Sequence, residues 1–245
     1  MTGFKAWGLA GAVWGAMALC AVAQQKIEPE YAIWDVVLGQ FISQIPEALV
    51  SELACGTNGG PPAEGLTAFE DFATCAAEAS GLHEVTFFYD DEQDYIAKAM
   101  ESEYRFLQGG TSIFAHPVIV SVLADPAGLV QGIRIITDNR ISDRERRTAV
   151  TLMRNFKARY SDWGMDCVDL PMREGEQPVG TQFIHELCEG TSGDGALRLI
   201  IEASYLRKKG QRAINLETQI VNTGYFESQT RFEQVLAPYT PTVQP

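Results

Sequence analysis

Catalytic signatures are the first thing missing from this sequence. It has no G-x-S-x-G nucleophile elbow and no C-x-x-C pair. The glycine-rich stretches 56–65 and 190–195 match neither G-x-G-x-x-G nor a phosphate-binding loop, which argues against a nucleotide. Histidine is scarce, with only His83, His116 and His185, and no two share a metal-ligand spacing. The acids Asp90, Asp91, Glu92 and Asp94 crowd a helix start, without the alternating D-x-D-x-D-G order that wraps Ca²⁺. These absences predict no metal and no cofactor. Positive charge is also short: 19 Lys and Arg stand against 32 Asp and Glu, a net charge of −13. A chain-wide nucleic-acid surface is excluded at that balance, because phosphate contacts need cations. No repeat period is visible.

Long apolar runs are absent after residue 23. Before it, residues 1–5 form a short n-region with Lys5 as its one charge. Residues 6–19 are apolar, and Ala21-Val22-Ala23 has the A-x-A form of a cleavage site. The expectation is a signal peptide over 1–23, with the mature protein periplasmic or secreted. The competing reading is an uncleaved membrane tether through residues 6–23, an uncharged stretch of near-spanning length.

Export gives the remaining cysteines a meaning. Cys55, Cys75, Cys167 and Cys188 are an even set in a disulfide-permissive compartment, and four cysteines allow three connectivities. The local pairs Cys55–Cys75 and Cys167–Cys188 are expected, because each closes a short loop.

The order of elements is set by residues 113–160. The β-branched run 118–123 reads as a strand, and Asp125-Pro126-Ala127-Gly128 is a type I turn signal. Ile133, Ile135 and Ile136 lie on the returning strand. Ser142-Asp143-Arg144-Glu145 is a capping box, followed by Ala149, Leu152, Met153, Phe156 and Tyr160 at helical spacing. Upstream, Ile33, Val37, Phe41 and Ile45 recur every four residues and predict a helix over 31–53, with Pro46 as its weak point. A second helix is expected over 66–79, capped by Thr67 with Glu70, and a third from Asp90 to Phe106. Strands are expected at 85–89, 165–170, 181–188, 196–205 and 225–236. The class these imply is α+β: an antiparallel sheet with helices packed on one face and an N-terminal helical hairpin stapled by Cys55–Cys75. Residues 24–237 would form a single domain, possibly split near residue 80, and 238–245, with three prolines, a loose tail.

The sharpest charge feature is basic. Arg134, Arg140, Arg144, Arg146, Arg147, Arg154, Lys157 and Arg159 fall in one short stretch. Arg144, Arg147 and Arg154 share a helix face opposite the apolar one, and with Arg140 they form a candidate site for a carboxylate, phosphate or acidic protein partner. The plainer alternative is a solvated helix face paired to Asp138, Asp143 and Glu145. Two function classes follow. One is a non-enzymatic exported protein that docks a protein partner or envelope complex. The other is an exported hydrolase assembled from distant residues, with His116 and Asp138 as its acid/base pair.

Overall fold

The computed structural model describes residues 36–47, 50–89, 111–114, 116–138, 143–210, 213, 214, 219, 221, 222 and 225–243. Ten strands make one antiparallel sheet. They are β1 (Val50–Cys55), β2 (His83–Tyr89), β3 (Ser112–Ile113), β4 (His116–Ala124), β5 (Val130–Thr137), β6 (Asp166–Asp169), β7 (Glu176–Gln177), β8 (Ile184–Thr191), β9 (Leu197–Lys208) and, last in the chain, β12 (Glu227–Leu236). The main path runs β1-β2-β4-β5-β12-β9-β8-β6, with β3 on β4 and β7 on β9. Two further short strands, β10 (Ala213–Ile214) and β11 (Val221–Asn222), pair with each other. The last strand of the sheet therefore lies at its middle, between β5 and β9.

This corrects the α+β expectation. The protein is mostly antiparallel sheet, and among the described residues α-helix is confined to α1 (Asp143–Ala149) and α2 (Leu152–Arg159). The N-terminal helical hairpin is not there. Within 36–55 the structure has one 3-10 turn, Ile42–Gln44, and then strand β1. Gly39, at φ +86°, stops any helix, and its N–H donates to Val130 O at 2.7 Å. Ile42 N then bonds Gly128 O at 2.8 Å. Val36, Ile42 and Ile45 are buried. Their spacing suits the β4–β5 hairpin they lie along, which periodicity alone could not separate from a helix face. Over 66–79 only the 3-10 turn Phe69–Thr74 forms. Its start is held by Asp71 Oδ2, which accepts from Thr67 N at 3.1 Å and Ala68 N at 3.2 Å, a role expected of Glu70. Residues 31–35 and the expected helix at Asp90–Phe106 lie outside the described residues.

Both cysteine pairs are bridged as expected, Cys55–Cys75 and Cys167–Cys188, with Cα atoms 5.2 and 4.0 Å apart. The first fastens β1 to the end of the 3-10 turn rather than one helix to another. The second spans directly opposed residues of β6 and β8. Two disulfides fit an oxidising compartment. Among the described residues no helix is long and apolar enough to cross a membrane.

The hairpin of β4 and β5 forms with Val118 opposite Thr137 and Val122 opposite Ile133. Its turn closes by Gly128 N bonding Asp125 O at 2.8 Å. The Asp125 carboxylate accepts from Ala127 N at 2.9 Å and Leu129 N at 3.0 Å. On the sheet's apolar face, Leu152, Met153, Phe156 and Tyr160 are all buried. Phe156 stacks on Phe232 with ring centroids 4.5 Å apart, and Tyr160 follows at 5.3 Å. The helix breaks at Val150 and Thr151 because β12 takes its backbone groups. Val150 N donates to Ser228 Oγ at 3.2 Å, and Met153 N donates to Thr230 Oγ1 at 3.2 Å. At Gly132, in the middle of β5, the close approach of β12 leaves no room for a side chain. A Cβ there would stand 2.7 Å from Val235 Cγ1 and 2.8 Å from Gln234 O.

Candidate functional site

Alternation along β12 sends Ser228, Thr230, Phe232 and Gln234 to the helix side and Glu227, Gln229, Arg231 and Glu233 to the other. That other face is polar, and much of it is buried. Arg134 is 0% exposed, Arg231 and Glu233 1%, and Glu84 3%. Arg134 makes a two-pronged contact with Glu78, at 2.6 and 3.0 Å, and also bonds Glu233 Oε2 at 2.8 Å. Its Nη1 lies 2.8 Å from Glu84 Oε2. Arg231 Nη2 donates to the same Glu233 oxygen at 2.7 Å and to Asn58 Oδ1 at 2.7 Å. Burial alone would lower the Arg134 pKa, but hydrogen bonding to Glu78 and the charges of Glu84 and Glu233 raise it above its ordinary value. For Arg231, burial and the neighbouring Arg134 charge together lower it. Both remain cations.

Two irregular segments cover this network. In the loop after β1, Asn58 N donates to Glu84 Oε2 at 2.6 Å. Gly56 lies so close that a Cβ would overlap the Glu84 carboxyl. From the other side, Thr242 N donates to Glu233 Oε1 at 2.9 Å, and Arg231 Nε donates to Thr242 O at 3.0 Å. Tyr239 packs against Leu82, Leu123 and Val235. Residues 238–243 thus lie on the sheet. Two guanidiniums meet three carboxylates here, so each buried arginine is paired with acid inside the network.

The polar face continues over β8 and β9. His185 is opposite Ser204, which is opposite Gln229. His185 Nε2 lies 3.2 Å from Glu202 Oε1, and Ser204 Oγ donates to Glu227 Oε1 at 3.1 Å. His185 Nδ1 is buried and makes no hydrogen bond. Serine, histidine and two acids are close together, but the serine is bonded to the acid and not to the histidine. No relay that would activate a nucleophile is assembled. The cavity they line holds about 20 Å³, room for about one water.

The basic stretch of the sequence is dispersed in space. Arg134 is inside the network. Arg146 is buried under Tyr225, 4.4 Å from the ring centroid. Lys157 pairs with Glu186 at 2.6 Å. Of the candidate site, Arg140 lies outside the described residues, and Arg144 is placed only as backbone of α1. Arg147 and Arg154 are exposed, seven residues apart across the helix break. Neither makes an ion pair among the described residues, and Arg147 touches only the Phe226 ring, at 5.9 Å. The side chains of Asp143 and Glu145, the acids of the plainer alternative nearest in sequence, lie outside the described residues.

His116 sits where β4 begins, and Asp138 follows β5. Their strand ends are joined by Asp138 N bonding Pro117 O at 3.0 Å. His116 Nε2 lies 3.5 Å from Thr151 Oγ1. Half-burial lowers its pKa below the ordinary 6.5. His83 Nδ1 bonds Cys75 O at 2.7 Å, a structural role. The ligand atoms of Cys167, Glu186 and Cys188 lie within 4.8 Å of one another, but the two sulfurs are bonded together and are not available to a metal.

Glu84, Glu202, Arg231 and Glu233 had no signal that singled them out. Each occupies an alternate strand position, which reads as solvent-facing, and only the face they share distinguishes them. No protein-family model matches the chain, and no curated protein or solved structure matches it either.

Proposed function

We propose that this is an exported, periplasmic or secreted accessory protein that acts without catalysis by docking a protein partner. One observation carries the reading: Arg147 and Arg154 are exposed on a protein of net charge −13, with no ion pair among the described residues. A strongly acidic protein has many acids with which to pair surface cations. Two planar guanidiniums left available on one helical stretch suit an acidic patch on another protein. The disulfides, which fit an oxidising compartment, and the signal-like residues 1–23 support an encounter outside the cytoplasm.

The test is crosslinking capture from the native envelope, with mass spectrometry of both bait and prey. Alanine at Arg144, Arg147 and Arg154 together is expected to weaken capture of a stoichiometric partner while leaving thermal unfolding unchanged. Capture that is indifferent to the triple substitution would remove the arginines from the account. The bait's N-terminal peptide separates a cleaved protein from one tethered through residues 6–23.

A further inference from the structure

The sheet ends in two different ways. Beyond β1 the edge is covered, since Cys55 N bonds Glu64 O at 2.8 Å and Leu66 N bonds Leu53 O at 2.8 Å. Beyond β6, no strand pairs among the described residues. Leu170 N donates to His185 O at 2.6 Å, which fixes the phase of the ladder. Antiparallel alternation then points the backbone groups of Asp166 and Val168 at β8, and those of Cys167 and Asp169 outward. The second pair is a ready template for another strand. Side chains at this edge reinforce the template: Val168 is 49% exposed and Met172 48%. Charge there has one sign, for residues 161–172 contain Asp162, Asp166 and Asp169 and no Lys or Arg.

We infer that β6 accepts an extended segment of a partner protein as an added strand, one in which basic residues alternate with apolar ones. Along β6 Asp166 and Val168 share one face and Cys167 and Asp169 the other, so the apolar residues of that segment meet Val168 and the basic ones meet Asp169. A second copy of this chain is a poor occupant, because antiparallel pairing of two β6 strands would bring aspartates together at an already acidic surface. The Cys167–Cys188 bridge ties β6 to β8 and presents the edge without the entropy loss of ordering a loose strand. The inference rests on the proposed docking role and names the surface and chemistry of one contact.

The probe is a seven-residue peptide alternating lysine and valine, added to the disulfide-intact mature protein. Its glutamate–valine counterpart is the control. Amide hydrogen exchange at Cys167 and Asp169, read by NMR, is expected to slow about tenfold with the lysine peptide and not with the control. Asp169→Pro removes an outward N–H only, so it should abolish this protection while Leu170 N–H stays protected. Asp169→Lys should reverse the preference between the two peptides. No protection, equal protection by both peptides, or protection that survives Asp169→Pro would overturn the inference. None of these outcomes touches the arginine capture experiment, which can succeed or fail separately.

Discussion

Arg134 on β5 and Arg231 on β12 donate to one and the same oxygen, Glu233 Oε2, at 2.8 and 2.7 Å. Two buried cations on adjacent strands are thus held together by a carboxylate between them. Removing one member of such a group is costly, because the others stay buried without their counter-charge. Glu233→Ala is expected to lower stability by about 3–5 kcal/mol. Arg147→Ala, on the exposed helical stretch, should change it by less than about 0.5 kcal/mol. Denaturant midpoints of the two variants test the contrast, and equal shifts would refute it.

Gly132 carries a second prediction. The β12 backbone and Val235 occupy the space a side chain would need, and a main-chain carbonyl cannot swing aside. Gly132→Ala should cost about 1–3 kcal/mol by overpacking, in spite of alanine's lower chain entropy. Thermal unfolding would show it, and an unchanged or raised midpoint would contradict the close approach of the strands.

The disulfides close segments of 20 and 21 residues in sequence separation. Replacing either pair by serine is expected to lower stability by about 3 kcal/mol. Peptide mapping without reductant should recover Cys55 with Cys75 and Cys167 with Cys188. Four free thiols in protein drawn from its own compartment would undo the assignment and the localisation drawn from it.

His116 makes stability depend on pH. Burial holds its folded pKa below the ordinary 6.5, so in acid the unfolded chain binds the proton more readily than the folded one. Stability contributed by the neutral ring is present above 6.5 and is lost as pH falls below it, until the folded form also protonates. His116→Gln should flatten that part of the denaturant-midpoint profile. A profile identical to the parent's would assign the acid sensitivity elsewhere.

The central hairpin is legible in the sequence because β4 and β5 are buried on both faces and read as β-branched apolar runs, whereas β1 falls where a helix over 31–53 is expected. The 118–123 run, the Asp125 turn and the apolar positions of the helical stretch from Ala149 to Tyr160 all announced themselves locally. The helix expected over 31–53 fails because helical spacing does not show what buries a segment: Phe41, one of the periodic positions, is exposed, while Val36, Ile42 and Ile45 are buried along the distant β4–β5 hairpin. Pro46 and Gly39 are the local hints against a helix. The charge network was illegible for a different reason. Alternation tells that Arg134, Arg231 and Glu233 share a face with Glu84, but not whether that face is wet. What covers it is an aperiodic loop around Asn58 and the segment at Thr242, and neither carries a pattern. Arg134 also sat among seven other basic residues in sequence, which suggested one patch where the fold makes several separate environments.

Sheet order has a consequence for how the protein is made. Strands β1 to β5 and β6 to β9 are two half-sheets, and only β12 pairs with both, along Arg231–Val235 on one side and Glu227–Leu236 on the other. Until that segment is available, β5 and β9 each present a long apolar edge with open hydrogen-bonding groups. A nascent or clipped chain that stops short of residue 227 would hold two unfinished templates at once. Such a fragment is a natural client for holding chaperones and a seed for aggregation.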